Sequence, residues 1–346
     1  MVKFSLTVLL LLPILIIAQQ KTIYRNLVLE GGGVRGLAYA GAFTELEKNG
    51  VLKEIEKVAG TSAGAIAGLM ISVGYSAGEI DSIMRLLPVQ EFNDGKGGLV
   101  GKYNRARKRY GIYKGHKFEE WLQELVRNRT SNKNLTFVQL HELHLKNNLF
   151  KDFYCTGTNL SRQQLEVFSY ENSPDMPVEL AVRISGGIPL YFEPVILDDH
   201  KRLIEKGDTT LFRNYYVDGG MIANYPISIF DSCENYYNPL LCDKVKFNIH
   251  TLGIKLERPA QIDSLRHNKI IIPPYRIKNF KDYIHAFNNL MIETLNRKYP
   301  GLENELNRTI YISYGDIYSK VRKMKVVEKQ LLFNNGETAT REFFAK

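Results

Sequence analysis

Cysteine is scarce in this 346-residue chain, which holds only Cys155, Cys233 and Cys242. Three thiols cannot build a disulfide scaffold, and their spacing lacks the pairs of a zinc site. Cys233 and Cys242 can bridge in an oxidising compartment, and two unpaired structural thiols fit the sequence equally well. Long apolar runs are scarcer still. The single one, Phe4 to Ala18, is broken by Ser5, Thr7 and Pro13, and one such run excludes a multi-span membrane protein. Internal repeats and low-complexity tracts are also missing. Hydrophobic residues at 44% and charged residues at 24% exclude a disordered or collagen-like chain.

Acidic residues are absent from one window. Residues 96–117 carry Lys96, Lys102, Arg105, Arg107, Lys108, Arg109, Lys114 and Lys117 without a single Asp or Glu. The net charge of +9 arises there, because the rest of the chain holds 38 basic against 37 acidic groups. The basicity is a local patch, so an anionic partner is sought for that patch and not for the whole protein.

At the N-terminus, Lys3, the apolar run and the small Ala18 before Gln19-Gln20-Lys21 make residues 1–19 read as a secretory signal peptide or membrane anchor. The expectation is an exported protein, secreted or periplasmic, or one held at a membrane by that segment.

Asn26–Glu30 reads as a short buried strand, followed by the turn Gly31–Gly36 and a helix from Leu37 to Lys48. Ile55–Ala59 is a second strand, then Gly60–Gly64 and a small-residue helix to about Val73. Strand–turn–helix twice in fifty residues signals an α/β domain with a parallel sheet. Residues 93–117 read as a long loop or lid, and 118–128 as an amphipathic helix. Strands follow at 153–158, 165–169 and 215–217, with a last core strand at 245–254. Beyond about Glu257 the catalytic-type pattern stops. Tyr283, Ile284, Phe287, Leu290, Met291 and Leu295 form one helical stripe, read as core.

Three motifs carry chemistry. Gly60-Thr61-Ser62-Ala63-Gly64 fits GxSxG, where a serine sits on a sharp strand-to-helix turn with its hydroxyl above the sheet. Gly31–Gly36 fits GxGxxG, so a dinucleotide site has to be weighed. The acid for the ribose is not at the end of the next strand, where the serine turn stands instead. Backbone N–H groups at a helix N-terminus also stabilise an oxyanion, and Gly31, Gly32, Gly33, Val34, Arg35 and Gly36 suit that use better. A serine nucleophile needs a base, yet none of the seven histidines lies in a familiar partner motif. His141 and His144, three apart on a helix, lack a third metal ligand. Asp218, at a strand end before Gly219 and Gly220, is the better base, since partial burial raises a carboxyl towards the working pH.

These motifs, in this order, resemble the patatin-like phospholipase family. Ser185–Pro189 with Phe192 and Pro194, and Asn224-Tyr225-Pro226, resemble lesser blocks of it. The resemblance covers residues 26–255 and leaves 256–346 as an accessory, mainly helical C-terminal region. Glu30 departs from the family, which often has Gly or Asp there. The resemblance implies a three-layer α/β/α fold with a mainly parallel sheet. It also implies a Ser62–Asp218 dyad without histidine, an oxyanion loop at Gly31–Gly36, and hydrolysis of acyl esters in phospholipids or other lipids. No metal or organic cofactor is implied. Arg35 is expected to orient the loop by pairing with an acid. Beside such a site, Lys102, Arg105, Arg107, Lys108 and Arg109, interleaved with tyrosines, suit an anionic membrane surface; no nucleic-acid motif accompanies them. A general carboxylesterase or triacylglycerol lipase on the same fold, and a lipid-binding module without turnover, are the alternatives.

Overall fold

The computed structural model describes residues 22–204, 212–233, 245–267, 302–319 and 321–345, with a few positions between 274 and 290. The N-terminal apolar run and the Cys233–Cys242 pairing lie outside the described residues. Cys155 is free and buried. Among the described residues no helix is long and apolar enough to cross a membrane.

Eight strands make one sheet: β1 Asn26–Leu29, β2 Lys57–Gly60, β3 Asp152–Asn159, β4 Gln164–Phe168, β5 Val195–Leu197, β6 Asn214–Asp218, β7 Thr251–Glu257 and β8 Thr309–Ser313. Their order is β8-β7-β1-β2-β3-β6-β5, with β4 paired to β3 off that path. From β8 to β3 every pairing is parallel. The others, β4 and β6 on β3 and β5 on β6, are antiparallel.

Burial explains the apolar runs. A strand sends alternate side chains to opposite faces, and both faces of the central strands are covered. Leu27 and Leu29 join the large core, while Val28 packs with Ala59, Tyr154 and Ile227 in a smaller cluster. Helices α1 Ala38–Lys48 and α2 Ala63–Ser72 follow β1 and β2. Next come α3 Gly98–Arg109, α4 His116–Thr130 and α5 Val178–Ser185. The last, α6 Val326–Phe344, lies on α1. That crossing needs glycine on both sides, because a Cβ at Gly41 would overlap the Phe333 carbonyl and one at Gly336 the Ala38 carbonyl.

Four expectations change. The 93–117 segment is not all loop, since Gly98–Arg109 is helical, entered through Gly97 at φ 96° and left through Tyr110 at φ 61°. Its arginines and lysines are good helix formers, and none of its residues is buried, so no apolar stripe advertised it. The 245–254 strand is two pieces, Val245–Lys246 and β7, and it is not the last. Among the described residues beyond 257 helix predominates, yet β8 extends the main sheet and α6 lies on α1, so these two elements belong to the main layers. Of the apolar stripe read as core, Tyr283, Phe287 and Leu290 are exposed. Ile284, Met291 and Leu295 fall outside the described residues.

Candidate active site

The turn after β2 is set by backbone crowding. Gly60 and Gly64 face one another so closely that a Cβ at Gly60 would lie 2.6 Å from the Ala65 nitrogen. A Cβ at Gly64 would lie 2.6 Å from the Glu30 carbonyl oxygen of the neighbouring strand end. Between them Ser62 adopts φ 52°, ψ −119°, a region that L-residues rarely occupy and that costs of order 1–3 kcal/mol. The fold holds it there. Thr61 Oγ1 donates to the Ala223 carbonyl at 2.8 Å and lies 2.6 Å from Thr156 Oγ1. The Ser62 N–H donates to Ser185 Oγ at 2.9 Å.

Asp218 reaches this serine by an unexpected route. A strand end of a parallel sheet was the sequence argument, but β6 runs antiparallel to β3. Strand β3 extends four residues past the β2 partner of Cys155. Since β4 holds the opposite edge of β3, β6 must pair along the edge that β2 leaves. The C-terminal ends of β2 and β6 therefore meet head to head. Ser62 Oγ donates to Asp218 Oδ2 at 2.8 Å. The other oxygen, Oδ1, accepts the Gly220 N–H at 2.8 Å. Asp218 is only 8% exposed. Burial pushes its carboxyl up to about 6, against the pull of the Gly220 and Ser62 hydrogen bonds. Gly219 has no room for a side chain, because its Cβ would overlap the Thr156 hydroxyl.

The glycine loop leads from β1 into a 3-10 turn, Gly33–Leu37, whose first N–H groups have no partner within the turn. Gly31 is flush with the site: a Cβ there would lie 3.2 Å from that of Ser62. Its N–H donates to the Asn224 carbonyl at 2.9 Å. Gly33, at φ 56°, abuts the Ser319 carbonyl, and Gly36 packs on Ala63. Val34 is buried. Arg35 steadies the loop differently from the expected acid pairing. Its Nε donates to the Gly32 carbonyl at 3.2 Å, and its guanidinium lies 4.0 Å from the Tyr314 ring centroid.

Several positions gain roles that the motifs did not state. Glu30 is buried below the loop, accepting from Asn224 Nδ2 at 3.2 Å and from the Leu256 N–H at 2.8 Å. Asn224 Nδ2 also donates to the Gly31 carbonyl at 3.2 Å, so one amide clasps the glycine loop to the segment after Asp218. Its side chain and that of Ser185 stand in the lesser blocks, but nothing in the spacing reveals their partners. Among the described residues no histidine bonds Ser62 or Asp218. His141 bonds Asp152 at 2.8 Å, and Asp152 pairs with Lys57 at the opposite end of β2 from Gly60.

The basic residues sit on or around α3. Lys102 lies 5.1 Å from the centroid of the Tyr113 ring. Arg105 donates to the carbonyls of Ile112 and Lys96 at 2.8 and 2.6 Å. Arg109 is 3.6 Å from Glu193, and Arg107 and Lys108 are exposed. Buried Arg183 joins this region to α5, donating to the carbonyls of Lys114, Gly115 and Glu193.

Comparison with known proteins agrees with this geometry. Residues 27–231 match the family described as Patatin-like phospholipase. An uncharacterised protein of Acanthamoeba polyphaga mimivirus, R571, is 30% identical over 93% of this chain and 94% of its own length. Bacillus subtilis YqhO, also uncharacterised, is 33% identical over 60% of this chain and 67% of its own. A probable lipid hydrolase, 463L of Invertebrate iridescent virus 6, is 27% identical over 62% and 66%. Among solved structures, VipD of Legionella pneumophila aligns with a TM-score of 0.57 at 17% identity, over 93% of this chain and 67% of that one; that likeness speaks for the fold alone. With a matched region spanning the glycine loop, the serine turn and Asp218, the chain belongs to the patatin-like phospholipase family of lipid ester hydrolases.

Proposed function

We propose that this protein is a phospholipase A-type acyl hydrolase that works through a Ser62–Asp218 dyad. The observation that carries the reading is the 2.8 Å hydrogen bond from Ser62 Oγ to a buried carboxylate. With its carboxyl raised to about 6, Asp218 is ionised at neutral pH and still basic enough to accept a proton. As the Ser62 oxygen bonds to the ester carbonyl carbon, its proton passes to Asp218 Oδ2. N–H groups along Gly32–Val34 receive the oxyanion, a contribution of about 3 kcal/mol for a well-placed donor. Collapse of the tetrahedral adduct breaks the ester C–O bond, and the proton on Asp218 goes to the departing alcohol. Water then gives a proton to Asp218 and attacks the acyl-serine, and Asp218 passes that proton to the Ser62 oxygen as the fatty acid leaves.

The proposed site of action is an anionic membrane surface, met by α3. Leu99, Val100 and Tyr103 are 85%, 71% and 66% exposed beside Arg107, and large apolar groups at the surface next to cations suit a lipid interface.

Ser62→Ala is the test, read with defined phospholipids, triacylglycerol and a fluorophosphonate label. The expected result is loss of label and of fatty-acid release from phospholipid. Full turnover by the variant overturns the dyad, and faster wild-type turnover of triacylglycerol than of phospholipid makes the protein a neutral lipase.

A further inference from the structure

The two sides of α3 differ in character. Leu99 and Tyr103, four residues apart, share one face; Gly101, Arg105 and Lys108, at i, i+4 and i+7, share another. That second face lines an open cavity of about 580 Å³, closed opposite by Asp94–Lys96 and by Lys114 and His116. We propose that this cavity is a phosphate-binding site, taking a compact, multiply charged phosphate group through Arg105, Lys108 and Lys114.

The electrostatics call for such a ligand. Five Lys or Arg side chains line the cavity against one acid, Asp94. Both oxygens of Asp94 are already engaged, by the Gly115 N–H at 2.8 Å and the Lys117 N–H at 3.2 Å. Like charges crowded in a concave surface repel one another and focus the potential on an incoming anion. The Arg105 guanidinium is fixed in place by its bonds to two carbonyls, while its Nη2, a buried atom, has no hydrogen-bond partner. The guanidinium charge held in this wall adds to the potential that draws a phosphate.

The remaining walls define the class of ligand. Gly95, at φ 117°, leaves its space to the Arg105 guanidinium, and Gly101 stands in the wall without a side chain. No Phe, Tyr or Trp lines the cavity, so the broad aromatic faces on which nucleobases stack best are missing from it. A phosphate on a lipid headgroup and a free phosphate carry the same chemistry here. The assignment goes beyond the hydrolase reading and does not depend on it, because the side-chain hydrogen bonds of Ser62 and Asp218 run to each other and to Gly220, none of which lines the cavity.

The test uses the full chain and a Lys108→Gln/Lys114→Gln variant, with thermal melting as the check on folding. Inorganic pyrophosphate is titrated by calorimetry. Vesicles of phosphatidylcholine with phosphatidic acid are titrated by sedimentation, with and without pyrophosphate. Binding by the wild type that falls tenfold or more in the variant is expected, since charge-assisted hydrogen bonds are lost. Pyrophosphate that displaces the vesicles, or vesicle binding alone that needs the two lysines, identifies a headgroup phosphate. Lysine-dependent pyrophosphate binding that leaves vesicle binding unchanged identifies a free one. Equal binding by both proteins, or no binding of either probe by the wild type, overturns the proposal. An Arg105→Lys variant adds a second reading: it keeps the charge but loses the fork, and binding equal to wild type would remove Arg105 from the site.

Discussion

Replacing Asp218 by asparagine should make the protein more stable while abolishing its turnover. The buried carboxyl titrates at about 6 in the folded chain against 3.8 for the ordinary side chain. The folded state therefore holds the proton more tightly than the unfolded state. Its stability advantage is full below pH 3.8 and is lost as pH rises through 6. At 1.36 kcal/mol per unit, an ionised Asp218 costs the native state about 3 kcal/mol above pH 6. By pH 5 about half of that cost is already present. The asparagine keeps the carbonyl oxygen for the Gly220 N–H and turns an amide towards Ser62, so it removes the charge without emptying the site. Urea denaturation of both proteins at pH 5 and pH 7 reads the difference: the Asp218→Asn variant should be ahead at both, and by more at pH 7. Fatty-acid release by the variant should fall by about two to four orders of magnitude, the usual contribution of a general base. For the wild type, activity should rise with pH through about 6 as Asp218 ionises. A variant that is less stable at pH 7, or a gap that does not widen from pH 5 to pH 7, refutes the electrostatic argument; retained turnover refutes the assignment of the base.

Gly64→Ala should be among the most damaging small substitutions, because the methyl group meets backbone carbonyls of Leu29 and Glu30 that cannot rotate away. Overpacking of about 1–3 kcal/mol or more should appear as a lower melting temperature together with loss of fluorophosphonate labelling, and a normal melt with normal labelling contradicts the close packing. Glu30, raised to about 8 chiefly by burial, with Lys255 pulling it down and Glu257 pushing it up, should drain stability as pH climbs from 4.5 to 8. Glu30→Gln should flatten that slope in urea titrations at several pH values, and a slope shared by both proteins would assign it to other groups. Leu99→Ser with Tyr103→Ser should weaken binding to anionic vesicles several-fold and spare hydrolysis of a soluble ester; equal loss on both would make that face structural.

The first strand, the glycine loop, the serine turn and the aspartate were legible because each needs residue types that substitute poorly: glycine where backbones touch, and an apolar run where both faces are covered. Leu27 and Val28 pack on opposite faces, so the run could not alternate. The direction of β6 was not legible, because five residues from Asn214 to Asp218 read the same whether they pair up or down the sheet. Nor was α3, where no residue is buried and its few apolar side chains, Leu99, Val100 and Tyr103, face solvent. Strand β8 escaped notice for another reason: it is an edge strand reached after a long excursion, and its Thr309–Ser313 pattern resembles many short exposed segments. The bond from the Ser62 N–H to Ser185 spans 123 residues of sequence, and only the fold brings those ends together.

The seating of α6 on α1 has a consequence for the order in which the molecule comes to life. Helix α1 continues directly from the glycine loop, yet the helix it rests on, through Gly41 and Gly336, is made only after both Ser62 and Asp218. Ser319 and Tyr314, which back Gly33 and Arg35, emerge late as well. A nascent chain thus carries Ser62 and Asp218 before the glycine loop has its support. The glycine loop is therefore complete only once segments made after the serine and the aspartate have packed against it.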